Sequence, residues 1–279
     1  MCQLLGMNCN VPTDIAFSFR GFRQRAGVTD QHSDGFGIGF FEEAGCRLFL
    51  DYKAASESPI AKLVDHYPIK SLNVIAHIRK ATQGVVSLAN CHPFQRELWG
   101  QYWLFAHNGD LKRLPRGIGK GHYYQPVGTT DSEQAFCFLL ENLRSHHDTM
   151  PSPDILFAEL KVLTSALAGY GVFNFILSNG QYMFAHCSTN LSYIVRKAPF
   201  TTAHLLDEDV TFDFSTVTTP TDRVAVIATQ PLTDNEVWTK FEPDQLIMFI
   251  EGEPVWEQRC LHTRKTAAIT ESTTSEPHA

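Results

Sequence analysis

VFNFILSNGQYMFAHCSTNLSYIV, residues 172–195, holds three short segments, 172–177, 182–186 and 193–195, each rich in β-branched or aromatic residues and bounded by turn-forming types. Such runs read as strands. Working outward, 37–41, 47–52, 73–79 and 102–107 upstream and 223–228 and 246–250 downstream carry the same pattern. Helical spacing is found in three places. In 131–146 it puts Phe136, Leu139, Leu140 and Leu143 on one stripe, and 153–168 does the same with Leu156, Leu160, Leu163 and Leu167. Residues 12–25 place Ile15, Phe19 and Phe22 at helical intervals after a Thr13/Asp14 start. So few helices cannot separate so many strands as βαβ units, so the pattern predicts an α+β chain, mostly antiparallel, with its helices grouped.

The chain has 279 residues, 43% hydrophobic and 19% charged, enough to bury a large core. No internal repeat or linker divides it, which predicts one domain over 2–265 and a disordered tail over 266–279. Net charge is −7, so no global positive field gathers phosphates, and nucleic acid is not expected as a partner. The start, MCQLLGMNCN, has no basic leader region, and its apolar run is broken at Asn8 and Asn10. With no apolar stretch of about 18 residues, no membrane span is expected and the location reads as cytoplasmic. Seven scattered cysteines without a C-x-x-C pair indicate neither a disulfide framework nor a zinc site, and no cofactor or metal is expected.

Cys2 stands apart because removal of Met1 would put a thiol and a free α-amine on one residue. The amine, with an ordinary pKa near 8, can accept the thiol proton at neutral pH, directly or through a water, and no histidine base is then required. Further along lie SDGFGIGF (33–40), AHIRKATQG (76–84), NCHPF (90–94), FAHNGDL (105–111) and GTTDSE (128–133). With Cys2, this ordered set resembles the class II glutamine amidotransferases, N-terminal-nucleophile (Ntn) hydrolases that free ammonia from glutamine. The weaker resemblance beyond it, through ATQPLTDNEVW (228–238), is to stand-alone bacterial members. The fold this implies is a four-layer αββα sandwich of two mostly antiparallel sheets.

The resemblance assigns Cys2 as nucleophile, Asn108 and Gly109 as oxyanion donors, Arg79 as the group that binds the substrate α-carboxylate and Asp131 as the one that holds its α-ammonium. Each position has a plainer reading. Arg79 at a strand end offers a planar fork suited to a carboxylate, or is simply solvated. Asn108-Gly109 after a strand reads as a tight turn, and a turn can itself present donors. Asp131 opens a helix behind a T-x-x-E capping box, Thr130 to Glu133, where a carboxylate is favoured in any case. Thr82, His77 and His107 match family positions and read as supports of the pocket. His32 stands where other members often carry arginine, and its role stays open.

Two signals point away from other chemistries. Gly35, Gly37 and Gly39 lack the strand–helix setting of a dinucleotide fingerprint and read as glycines packed near Cys2. Lys112, Arg113, Arg116 and Lys120 form a flexible, solvated basic loop rather than a phosphate loop. The expected function is cleavage of the glutamine γ-amide to glutamate and ammonia, the ammonia being released or passed to a separate acceptor synthase. The alternatives are a hydrolase of γ-glutamyl amides or peptides, and a non-enzymatic amino-acid-binding protein of the same fold.

Overall fold

Residues 2–27, 29, 34–67, 69–80 and 85–260 are described by the computed structural model. The N-terminal half runs β1 (Gln3–Asp14), α1 (Ala16–Gln24), β2 (Phe36–Glu42), β3 (Gly45–Asp51), α2 (Pro59–His66), β4 (Lys70–Ile78), β5 (Phe94–Leu98), β6 (Gln101–Asp110) and α3 (Asp131–His146). It continues with α4 (Pro153–Ala168), β7 (Val172–Ser178), β8 (Met183–Cys187), β9 (Ser192–Lys197), β10 (Thr202–His204) and β11 (Thr211–Asp213). β12 (Arg223–Ala228), β13 (Thr239–Lys240), β14 (Gln245–Ile250) and β15 (Glu253–Arg259) complete it. One sheet has the order β13-β9-β12-β1-β4-β2-β3 and the other β15-β14-β8-β7-β6-β5, while β10 and β11 pair apart. All these pairings are antiparallel.

Side-chain alternation sets the layers. Leu5, Met7 and Cys9 of β1 face Phe19 and Phe22 of α1 and Ala61 and Val64 of α2. Leu4, on the other face, joins Ile75 and Ile227 against Leu104, Ala106 and Ile176 of the second sheet. Trp103, Phe105, Phe173 and Phe175 then cover that sheet's outer face beneath Phe136, Leu139 and Leu140 of α3 and Leu156 and Leu160 of α4. Three apolar cores thus separate helix, sheet, sheet and helix, the four-layer αββα sandwich that the resemblance implies. Each large side chain buried in them is worth about 1.5–3 kcal/mol relative to exposure. The two sheets meet closely at Gly6, where an added Cβ would lie 3.0 Å from Ile176 Cδ1 and Met183 Sδ.

The helices α3 and α4 have the expected bounds. Thr130 Oγ1 accepts the Glu133 N–H (3.2 Å) at the start of α3, but only half of the capping box forms. The Glu133 carboxylate reaches past Thr130 to the Val127 N–H (3.0 Å) and Gly128 N–H (2.6 Å) instead.

Three expectations are corrected. The early helix begins at Ala16, because Thr13 and Asp14 pair with Ser71 and Lys70 as the last residues of β1. Asn108 and Gly109 form no turn: β6 runs on to Asp110, pairing them with Asn174 and Phe173 of β7. The basic loop keeps its charges exposed but is held to α3, since Glu141 accepts the N–H groups of His122, Tyr123 and Tyr124. The residues 266–279 lie outside the described part of the chain.

Candidate active site

Cys2 stands immediately before β1, half-buried, and the register of β1 against β4 carries it to the end of the latter strand. Its Sγ accepts the Lys80 N–H (3.2 Å) and donates to the Lys80 carbonyl (3.4 Å). Burial pushes the thiol pKa up, while the Lys80 N–H and the Arg79 charge draw it back. The other cysteines are buried or half-buried and free; Cys9, Cys91, Cys137 and Cys187 are pushed up to about 11, and Cys46 and Cys260 to about 12.

Arg79 follows β4 and is 3% exposed, which corrects the reading of a solvated strand-end arginine. Its backbone is held between Gly35 and Asp34, with Arg79 N–H on Gly35 O (2.8 Å) and Asp34 N–H on Arg79 O (3.2 Å). Its Nη1 donates to Val85 O (3.4 Å). Gly37 and Gly39 explain the close fit beside it. A Cβ on Gly37 would come within 2.2 Å of His92 O, and one on Gly39 within 2.4 Å of Leu104 Cδ1, so these glycines admit the segment 92–94 and the second sheet rather than a nucleotide.

His77 is fully buried on β4, paired in register with Leu4 and Gly37, and its ring lies 4.3 Å from that of His92. His92 stacks in turn on Phe94 at 4.4 Å. Burial, then the neighbouring His77, His107 and Arg79, hold the His92 pKa well below its ordinary value, so its imidazole is neutral.

From the second sheet β6 delivers two groups to opposite faces. Asn108 points toward the first sheet, its Nδ2 3.5 Å from Thr229 Oγ1, and the same hydroxyl accepts the Leu4 N–H (2.9 Å). The Asn108 carbonyl accepts from Asn174 Nδ2 (2.8 Å), whose Oδ1 is held by the Ser188 and Thr189 N–H groups. His107 points the other way, against Phe105 and Phe173 under α3. The Val172 carbonyl can only accept, so His107 carries its proton on Nε2 (3.1 Å) and takes the Ser132 hydroxyl at Nδ1 (2.8 Å). Gly109 fits between these groups because it lacks a Cβ, which would lie 1.9 Å from Val172 O and 2.5 Å from His107 Nε2.

Asp131, the first residue of α3, is tied to backbone: Oδ2 accepts the Leu111 N–H (2.7 Å) and Oδ1 the Ser132 N–H (2.9 Å). A carboxylate has about four lone-pair positions, so both oxygens keep capacity for a cation. Asn90 links this helix end to the Arg79 side. Its amide donates to Val85 O (2.9 Å) and Thr129 Oγ1 (3.1 Å), and its Oδ1 accepts the Thr129 N–H (2.8 Å).

The structure therefore gathers Cys2, His77 and Arg79 on one sheet with Asn108 of the other; His107 lies on the opposite face of β6, and Asp131 stands at the end of that strand, where Asn90 joins the start of α3 to the Val85 carbonyl that Arg79 also binds. Thr82 and His32 lie outside the described residues. Thr229, Asn174, Asn90 and His92 were not singled out from sequence. Asn90 and His92 stood within NCHPF, Thr229 within ATQPLT, and Asn174 was a polar residue inside an apolar strand, a signal for a buried hydrogen-bonding role. Among the described residues no group of three His, Cys, Asp or Glu side chains is placed to hold a metal, and no helix is long and apolar enough to cross a membrane.

Comparison with known proteins follows the same lines. The profile of the family described as class II glutamine amidotransferases matches residues 1–273. A Haemophilus influenzae protein provisionally called a glutamine amidotransferase is 58% identical over 257 residues, covering 92% of this chain and 87% of its own length. The Escherichia coli protein YafJ, provisionally named in the same way, is 53% identical over 256 residues, covering 91% of this chain and 100% of its own. A crystal structure described as a predicted glutamine amidotransferase from Pseudomonas aeruginosa superposes with a TM-score of 0.73 at 44% identity, covering 91% of this chain and 100% of that one. The B. subtilis glutamine phosphoribosylpyrophosphate amidotransferase shares the fold, with a TM-score of 0.58 at 14% identity over 93% of this chain and 49% of that one.

Proposed function

Since this chain belongs to the class II glutamine amidotransferases, we propose that it is an amidohydrolase whose nucleophile is Cys2, exposed as the first residue by removal of Met1. The observation that carries this reading is the placement of the Cys2 sulfur on Lys80, next to Arg79, with Asn108 tied to the same strand through Thr229.

In the proposed reaction the α-amine of Cys2 takes the thiol proton, and the thiolate attacks the γ-carbonyl of glutamine. Asn108 Nδ2 and the Gly109 N–H stabilise the oxyanion, and the Cys2 ammonium protonates the departing ammonia. Water then cleaves the thioester to glutamate. Arg79 takes the substrate α-carboxylate as a bidentate pair and Asp131 the α-ammonium. His77 and His107 support these groups without exchanging protons with substrate. The ammonia is released or passed to a separate acceptor.

A second substrate class, γ-glutamyl amides and peptides, fits the same clamp, because Arg79 and Asp131 engage only the charged groups of the α-carbon and no residue is assigned to what lies beyond the scissile nitrogen. Labelling with a glutamine-like diazo-ketone tests the nucleophile: peptide mass mapping should find the label on Cys2 alone, and Cys2→Ala should abolish labelling and turnover. Label on another cysteine contradicts the assignment. Comparing kcat/KM for glutamine, N-blocked glutamine and a set of γ-glutamyl peptides tests the clamp. N-blocked glutamine should lose at least tenfold, because Asp131 is left with no cation to bind. Equal cleavage of the blocked compound would remove Arg79 and Asp131 from substrate recognition.

A further inference from the structure

Thr229 belongs to the ATQPLTDNEVW stretch, to which the proposed chemistry assigns no catalytic role, yet much of that stretch is held by hydrogen bonds. The Gln230 and Pro231 carbonyls accept from the buried Arg25 (3.1 and 2.6 Å), which also pairs with Asp207 (2.7 Å). Thr233 donates to Glu236 (2.8 Å) and accepts from Trp238 Nε1 (2.8 Å). The Thr229 N–H itself donates to Leu4 O (3.1 Å), so the chain is held at Thr229 and just beyond it, and Thr229 is 5% exposed.

Its hydroxyl accepts the Leu4 N–H, two residues from Cys2, and still carries a proton of its own. Asn108, whose Nδ2 lies 3.5 Å away, has a buried Oδ1 without a hydrogen-bond partner. The two ends of a carboxamide are nearly equal in size, so a half-turn about its last torsion exchanges them at little steric cost. After that turn the Thr229 proton meets Asn108 Oδ1, and the orphaned acceptor is satisfied. The NH₂ group is then turned away from Thr229, and an NH₂ is the end that an oxyanion requires.

We propose that Thr229 is a positioning residue that sets the amide orientation of Asn108 and couples it to the Cys2 strand. The inference rests on the reading of Asn108 as an oxyanion donor, and it has a readout that does not. Thr229→Val keeps the shape and removes the hydroxyl; Thr229→Ser keeps the hydroxyl. With glutamine as substrate, Thr229→Val should lower kcat at least tenfold with KM within about twofold, and Thr229→Ser should restore kcat to within about threefold of the parent. In parallel, the side-chain amide resonances of Asn108, identified by their loss in Asn108→Asp, should shift in Thr229→Val and hold their place in Thr229→Ser. Thr229→Ala serves the same comparison if the valine variant does not fold. Unchanged kcat and unchanged Asn108 resonances in a folded Thr229→Val or Thr229→Ala protein would overturn the proposal. A parent that turns over no glutamine compound while its Asn108 resonances respond to Thr229 would overturn the functional reading and leave the coupling standing.

Discussion

Asn108→Ala removes one donor beside the Cys2 strand while Asn174 keeps its grip on the residue-108 carbonyl. Loss of a single oxyanion donor costs on the order of 10² to 10³ in kcat. Steady-state kinetics should find that loss with KM little changed, and a loss below about threefold would return Asn108 to a structural role. His92 makes a different kind of prediction. It is neutral in the folded protein because burial, then His77, His107 and Arg79, depress its pKa, whereas in the unfolded chain it titrates near 6.5. Below about pH 6.5 the unfolded state therefore binds a proton that the folded state refuses, and stability falls as pH falls by about 1.4 kcal/mol per pH unit for each such group. His107, depressed chiefly by burial, acts in the same direction. Replacing His92 with Phe keeps a ring against Phe94 and should remove about one proton from the slope of unfolding free energy between pH 6.5 and 5, measured by urea titration. An unchanged slope would mean that His92 is protonated in the native state.

At the scale of elements, β6 and β7 approach so closely at Gly109 that a Cβ would sit 1.9 Å from the Val172 carbonyl oxygen. Backbone cannot rotate aside as a side chain can, so Gly109→Ala should cost about 1–3 kcal/mol, a fall in Tm of several degrees in thermal unfolding. A Tm within a degree of the parent would mean that the two strands part easily at their ends. The same contact explains what sequence could and could not tell. Asn-Gly is the commonest short hairpin signal, but here the glycine answers to a close interstrand approach and the asparagine to Thr229 and Asn174. The helices α3 and α4 were legible to the residue because their stripes of leucine face a single core. β1 was not, although it lies at the centre of its sheet, because Gly6, Asn8 and Asn10 interrupt its apolar run. Asn8 is buried for a tertiary reason invisible locally: it donates to Asn73 Oδ1 (2.9 Å) and accepts the Gly252 N–H (2.8 Å), which ties β1 to β4 and to the β14–β15 turn. The catalytic candidates were legible as an ordered set of motifs. Their supports, Thr229, Asn90 and His92, were not, since each acts through at least one partner distant in sequence: Leu4 for Thr229, Thr129 for Asn90 and His77 for His92.

At the scale of the molecule, the candidate site lies at one end of the two sheets. Cys2, Arg79 and Asn108 meet where β1 begins and where β4 and β6 finish. At the opposite end Asn73 donates to Gly180 O (2.6 Å), and a cavity of about 400 Å³ opens between Glu43, Gln101 and Asn179. Between the ends the Leu4, Ile75, Leu104 and Ile176 core is closely packed, so β1 is buried from Gln3 to Cys9, while Cys2 just before it is half-buried. Cys2 thus has the fixed position that the proposed N-terminal nucleophile requires. The direct test compares two forms of the protein that differ at that terminus alone: one beginning at Cys2, verified by intact mass, and one carrying a short noncleavable extension that converts the α-amine to an amide. With glutamine or the preferred γ-glutamyl compound, the form beginning at Cys2 should turn over and the extended form should be inactive while keeping the same Tm. Equal turnover by both would contradict the N-terminal nucleophile.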